Sequence, residues 1–249
     1  MKDMKKALIF GGSSGLGLAI SKLFDESHSF NPIILSRNNI EDNELSIQSK
    51  SEYCDLSFFT TEEYIHLFEK YYPIESICFS QRYRNFKKKL DKDFLEEYKV
   101  MVLSIKKAIE AFNEVRSKKS NNEDNLFTRI LIIGSTYSES IGLDQDWSYH
   151  ACKSSQLALV RYYALRSNSN FNINMLSPAT YIKKETKKYW EDSSKAEIWS
   201  KYPAQRLADV QEIALEAFNL LTESSIFNNG NNILLDSGIR NLYHDQTFD

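Results

Sequence analysis

Tyr149-His150-Ala151-Cys152-Lys153 sets a phenol and an amine four positions apart. On a helix that spacing brings both side chains to one face, and the pair is chemically useful. A free phenol titrates at about 10, too high for easy proton exchange near neutral pH. An ammonium group beside it favours the phenolate and removes part of that difficulty. The spacing occurs a second time, however, as Tyr83 and Lys87 in YRNFK. Spacing alone does not choose between the two pairs, so the elements that carry them must.

Short apolar runs alternate along the chain with amphipathic stretches. Strands are predicted at KKALIF (5–10), NPIILS (31–36), SEYCD (51–55), IESICFS (74–80), FTRILIIG (127–134), FNINMLS (171–177) and NNILLD (231–236). Helices are predicted at 15–27, 60–71, 91–116, 147–167 and 209–222. Apolar strands separated by helices imply an α/β fold: a doubly wound parallel sheet of about seven strands with helices on both faces. No Pro/Gly/Ser-rich linker or internal repeat interrupts the pattern, so residues 1–249 read as a single domain, with SKKSNNEDN (117–125) a surface connection.

Four of the eight glycines fall in Gly11-Gly12-Ser13-Ser14-Gly15-Leu16-Gly17, directly after the first strand and opening the first helix. Glycine there permits a tight turn and lets backbone N–H groups approach a pyrophosphate at the positive end of the helix. Gly11, Ser13, Ser14, Gly15, Leu16 and Gly17 are therefore expected to hold a dinucleotide in a Rossmann fold. Folds of this kind that bind NAD place an acid about 20 residues beyond the glycines, on the ribose 2′-OH. Ser36 and Arg37 stand there instead. A guanidinium fork suits a 2′-phosphate, so NADP(H) is expected in preference to NAD(H).

Composition narrows the rest. With 42% hydrophobic residues the chain can bury a core of its own, and a net charge of −3 gives no general reason to expect nucleic acid. The cluster Lys87-Lys88-Lys89 reads as solvated surface. Cys54, Cys78 and Cys152 are odd in number and widely spaced, which suits a reducing compartment and no disulfide framework. His28, His66, His150 and His244 lack ligand spacing, so no metal is expected. The apolar run Ala7–Phe10 is too short for a signal peptide and no later run would span a bilayer. A soluble cytoplasmic protein is the expectation.

The glycine spacing Gly11-x-x-x-Gly15-x-Gly17 resembles that of the short-chain dehydrogenase/reductase family, in its short single-domain form. Further landmarks follow in the family's order. Asp55-Leu56 comes after strand three, where the family has an aspartate near the adenine. Ser135 comes after strand five, and Tyr149 and Lys153 open the next helix. Ser177-Pro178-Ala179 after strand six resembles the family's Pro-Gly, with Pro178 against the cofactor. Arg206–Asp209, Gly230–Asn232 and Leu235–Gly238 resemble its closing segments. The resemblance selects Tyr149 and Lys153 and leaves Tyr83 and Lys87 as exposed loop residues. It implies hydride transfer between a nicotinamide and a carbonyl or alcohol carbon. Tyr149 would exchange the proton on the substrate oxygen. Lys153 would assist it and hold the nicotinamide ribose, and Ser135 would hydrogen-bond the carbonyl oxygen, with Thr136 the fallback hydroxyl. It also implies a homodimer or homotetramer. Asp144 or Asp146 could cap the helix.

Three departures stand out. Phe10 replaces the usual threonine. The family's Asn-Asn-Ala-Gly after strand four becomes Ser80-Gln81-Arg82-Tyr83. Arg82, or Arg84 beyond it, is expected to bind an anionic group of the substrate; the alternative is a packed or solvent-facing arginine. Met101 stands where the family has an asparagine that anchors a water-mediated relay, and methionine cannot donate such a bond; Ser104 is the nearest hydroxyl. Residues 180–203 would cover the substrate. There Lys183, Lys184, Lys187 and Lys188, interleaved with Tyr189, Trp190 and Trp199, suit a phosphate- or nucleotide-bearing or planar molecule, or simply form a solvated amphipathic helix pair. The expected substrate is small and anionic, nucleotide-sugar-like or sugar-derived. The alternatives are a 3-oxoacyl thioester, or no substrate at all in a non-catalytic NADP(H)-binding sensor or partner protein.

Overall fold

The computed structural model describes residues 4–38, 49–83, 91–119, 126–168, 170–192 and 199–241. Seven strands form one sheet: β1 (Lys5–Phe10), β2 (Phe30–Ser36), β3 (Lys50–Tyr53), β4 (Ser76–Phe79), β5 (Thr128–Ile133), β6 (Phe171–Pro178) and β7 (Asn232–Leu235). Their order is β3-β2-β1-β4-β5-β6-β7, and every neighbouring pair is parallel. In the centre, Ile9 sits level with Ile34 on one side and Cys78 on the other.

Alternation along β1 shows how both faces are covered. Ala7 and Ile9 pack with α1 (Gly15–Glu26) and the last helix, Val210–Thr222, on one face. Leu8 and Phe10 point the other way, into a core shared with α2 (Thr61–Tyr71), α4 (Ser104–Lys119) and α5 (Trp147–Ala164). Phe10 is fully buried and stacks on Phe79, centroids 4.9 Å apart and planes 14° apart. The residue that replaces a threonine is thus a core residue, which binds β1 to β4.

The predicted helix 91–116 is present but not uniform. It begins as α3 (Asp91–Tyr98), widens into a π-helical turn at Lys99–Leu103, and continues as α4. The helix that carries Tyr149 and Lys153 has Asp146 at its N-cap, but the Asp146 side chain makes no capping bond, and Asp144 turns to other partners. Thr60 and Asp209, by contrast, form complete capping boxes with Glu63 and Glu212.

β1 lies between β2 and β4, so the chain leaves it at the point where strand order reverses, and a crevice opens beyond the strand ends there. The glycine turn lines this crevice and needs its glycines for different reasons. At Gly17 an added Cβ would strike the Gly11 carbonyl oxygen and Ser80 Oγ. At Gly15 nothing lies within 4 Å, and the constraint is only φ +55°. Gly15→Ala should therefore lower stability by about 1 kcal/mol, for the left-handed backbone. Gly17→Ala should lower it by about 3 kcal/mol, because backbone must move. Equal losses in chemical denaturation would contradict this packing.

Candidate active site

Tyr149 and Lys153 occupy the buried face of the first turns of α5, with relative exposures of 8% and 3%. The Lys153 amine lies 5.7 Å from the centroid of the Tyr149 ring. Its Nζ donates to the Ile133 carbonyl at 2.8 Å and to Gln156 Oε1 at 3.1 Å. Burial pushes the Lys153 amine down to about 7, and the Arg82 guanidinium adds to the effect.

Ser135 follows β5. Its hydroxyl oxygen accepts from the Tyr137 N–H at 3.2 Å and caps a short 3₁₀ turn, Thr136–Ser138. That bond uses the oxygen and leaves the hydroxyl proton to donate. Ser135 and the half-buried Thr136 line the same cleft as Tyr149 and Lys153.

The segment after β4 closes over the tyrosine. The Arg82 guanidinium carbon lies 4.6 Å from the Tyr149 ring centroid, a cation–π contact. Its Nη2 donates to Gln145 Oε1 at 2.9 Å, Gln145 Nε2 donates to Asp144 at 3.3 Å, and Tyr137 Oη donates to Asp144 at 2.6 Å. Burial opposes ionisation of Asp144, but the bonds from Tyr137 and Gln145 prevail and hold its carboxyl below the ordinary range. Among the described residues no carboxylate pairs with Arg82. Tyr83 is half-buried and packs with Met101, Val102, Tyr149 and Cys152, so the expectation of an exposed loop residue is corrected. Lys87 and Arg84 lie outside the described residues.

The other end of the cleft is built from the glycine turn. Ser14 is the N-cap of α1 in an extended conformation, but its side chain caps nothing and no acid occupies the first turn. The N–H groups there are left without a side-chain acceptor, and Gly15 beside them faces open space. This cradle fits a diphosphate. Gly11, Ser13, Leu16 and Gly17 complete it; Ser36, Arg37, Asp55, Leu56 and Pro178 line the same cleft, whose volume is about 810 Å³. Ser36 Oγ donates to the Asn38 carbonyl at 2.5 Å, and Arg37 is exposed beside it. Asp55 accepts from the Ser57 N–H at 3.0 Å.

From the 180–203 segment, Thr180, Lys183, Trp190 and Tyr202 line the cleft. Trp190 packs with Tyr189 and Trp199, centroids 4.8 and 6.5 Å away. Lys187 and Lys188 are exposed, and Lys187 pairs with Glu191 at 3.7 Å. Residues 193–198 lie outside the described residues. Ser104, the nearest hydroxyl to the methionine position, accepts from Gln81 Nε2 at 3.3 Å and donates to the Val100 carbonyl at 2.6 Å. Gln156 holds Lys153 instead, a contact that the sequence alone does not announce. Its one signal was a long polar side chain three residues after Lys153, on the same buried helix face. Among the described residues no helix is long and apolar enough to cross a membrane, and no group of three His, Cys, Asp or Glu could hold a metal.

Lys153 makes a pH test possible without any ligand. Its folded value of about 7 lies below its ordinary 10.5, so between these the folded protein binds fewer protons than the unfolded chain. Its unfavourable contribution is full below pH 7 and fades as pH rises towards 10.5. The stability advantage of Lys153→Met over the native protein should shrink by about 2 kcal/mol between roughly pH 7 and 9. A difference that does not change with pH would contradict the burial of a titrating amine.

A family model described as enoyl-(acyl carrier protein) reductase matches residues 74–240. An NAD-dependent glycerol dehydrogenase from Listeria innocua is 22% identical over 241 residues, covering 94% of this chain and 93% of its own. In fold, the chain is similar to a 3-oxoacyl-[acyl-carrier protein] reductase from Brucella melitensis, with TM-score 0.79, 17% identity and coverage of 98% and 100% of the two chains. It is also similar to the aldohexose dehydrogenase of Thermoplasma acidophilum, with TM-score 0.77, 18% identity and coverage of 99% and 98%.

Proposed function

Since the chain belongs to the short-chain dehydrogenase/reductase family of oxidoreductases, we propose that it uses NADP(H) to interconvert a carbonyl and an alcohol carbon on a small, anionic, sugar-derived or nucleotide-sugar-like substrate. The observation that carries this reading is Tyr149, with Arg82 over its ring and the Lys153 amine nearby, in one cleft with Ser135.

When bound, the nicotinamide supplies or accepts the hydride. The chain's own residues handle the proton. Tyr149 Oη delivers it to the substrate oxygen during reduction and takes it back during oxidation. The positive charges of Lys153 and Arg82 stabilise the phenolate left on Tyr149 when it gives the proton up. Ser135, whose oxygen is already engaged by the Tyr137 N–H, donates a hydrogen bond to the carbonyl oxygen without giving up its proton, with Thr136 next to it. Lys153 also holds the nicotinamide ribose. The glycine turn holds the diphosphate, and Asp55, Leu56 and Pro178 flank the nucleotide.

Arg37 and Ser36 carry the preference for NADP(H): no acid occupies the last position of β2, and the guanidinium is free to reach a 2′-phosphate. The Listeria relative is named as NAD-dependent, so the choice rests on these two residues. NADPH should bind at least about tenfold more tightly than NADH, and Arg37→Ala should abolish the difference. A preference for NADH would overturn this assignment.

Arg82 supports the anionic substrate, with Arg84 following it in the chain. The names of the glycerol and aldohexose dehydrogenases favour a polyhydroxylated molecule, and residues 180–203 would cover it. Arg82→Ala should raise KM at least about tenfold more for an anionic carbonyl than for its neutral analogue; equal effects would refute the role. The second reading, reduction of a 3-oxoacyl thioester, rests on the description of the matched family and on the Brucella neighbour. NADPH oxidation across sugar-derived, nucleotide-linked and thioester carbonyls separates the two. Tight NADPH binding with no turnover on any of them would favour the non-catalytic sensor. The exposed Leu95, Leu103, Tyr162 and Leu165 support a homodimer or homotetramer, and the three free, buried cysteines suit the cytoplasm.

A further inference from the structure

Gln156 lies three residues after Lys153 on the buried face of α5, with 1% relative exposure. A buried amide must find partners for its oxygen and nitrogen, and Gln156 spends both on one task. Its Oε1 accepts from Lys153 Nζ at 3.1 Å and its Nε2 donates to the Met101 carbonyl at 2.7 Å. An ammonium only donates and a carbonyl only accepts, so just one orientation of the amide satisfies both. The Met101 carbonyl belongs to the π-turn Lys99–Leu103, where the widened backbone departs from the α-helical ladder.

We propose that Gln156 is a positioning residue, a neutral bracket that ties the Lys153 amine to the backbone of the π-turn and aims it past the Tyr149 ring. The inference rests on the roles given to Tyr149 and Lys153 above. Met101 is then explained: its backbone oxygen anchors the bracket, which leaves its side chain to pack in the apolar cluster around Tyr149. The bracket also has a reason to be an amide and not an acid. A carboxylate at 3.1 Å would hold the amine permanently charged. An amide oxygen accepts from the ammonium while leaving it able to titrate.

Other groups face this amine. Arg82 comes from the segment after β4, Glu97 from α3, and Cys152 and Tyr149 from α5. Glu97 accepts from Ser148 Oγ at 2.6 Å. Substituting Gln156 leaves all of them in place, so the change at Lys153 can be assigned to the bracket.

The test follows the Lys153 side chain by NMR in protein carrying isotope-labelled lysine, with no cofactor or substrate, the signal assigned by its loss in Lys153→Met. Gln156→Leu removes an acceptor of the charged form, so the Lys153 midpoint should fall by about one pH unit or more. Gln156→Glu keeps an acceptor, and the midpoint should stand at or above the native one. With substrate, Gln156→Leu should lower kcat by about tenfold or more while KM changes by less than about threefold. If Gln156→Leu does not fold, Gln156→Met is read in its place. A midpoint within about 0.3 units of native in the folded apolar variant overturns the proposal. Because the titration needs no turnover, a native protein that reduces no carbonyl refutes the proposed reaction and leaves the bracket to be judged on the midpoint alone.

Discussion

The site depends on keeping a lysine amine in a place with almost no water. Burial disfavours the charged form, and Lys153 has two acceptors against that: the Ile133 carbonyl at the end of β5 and the amide of Gln156. Each comes from a different part of the fold. The carbonyl requires β5 to end beside α5, and the amide is itself anchored on the π-turn between α3 and α4. Shift any of these elements and the amine loses either its partner or its direction. The position of the tyrosine is tied to the same set, because Met101, Val102 and Cys152 pack around it.

The sheet makes this arrangement possible. Parallel order puts the C-terminal ends of β1, β4, β5 and β6 on one edge, so the glycine turn, Arg82, Ser135 and Pro178 converge on one cleft from distant parts of the chain. Two close approaches fix the junction. Gly17 lies against the Gly11 carbonyl and Ser80, and Phe10 stacks on Phe79. A core ring at the threonine position therefore leaves the cleft intact and strengthens the β1–β4 seam beneath it.

Much of this was legible in the residues because it is periodic or local. Apolar runs marked the seven strands of the main sheet to within a few residues, β3, β4, β5 and β7 being shorter than expected, and the glycine spacing marked the turn before α1. What was not legible depends on contacts across the chain. Asp144 looks like a cap by position, yet it accepts from Tyr137 and Gln145, and Asp146, which does stand at the N-cap, makes no side-chain capping bond. Tyr83 follows a strand and resembles an exposed loop residue, but it packs beside Tyr149. Gln156 shows no local pattern that announces Met101 as its partner, because the π-turn that offers the carbonyl is a backbone feature without a residue signature.

If the Tyr149 hydroxyl moves the proton, a single-turnover comparison of the native protein with Tyr149→Phe must reveal it. Both would be loaded with saturating NADPH and a carbonyl that the native protein reduces, with NADPH binding measured separately by fluorescence. Cofactor affinity should stay within about twofold of native, and NADPH oxidation should slow by about 10²–10⁴-fold or more. Oxidation by Tyr149→Phe at a rate close to native would contradict that role for the hydroxyl.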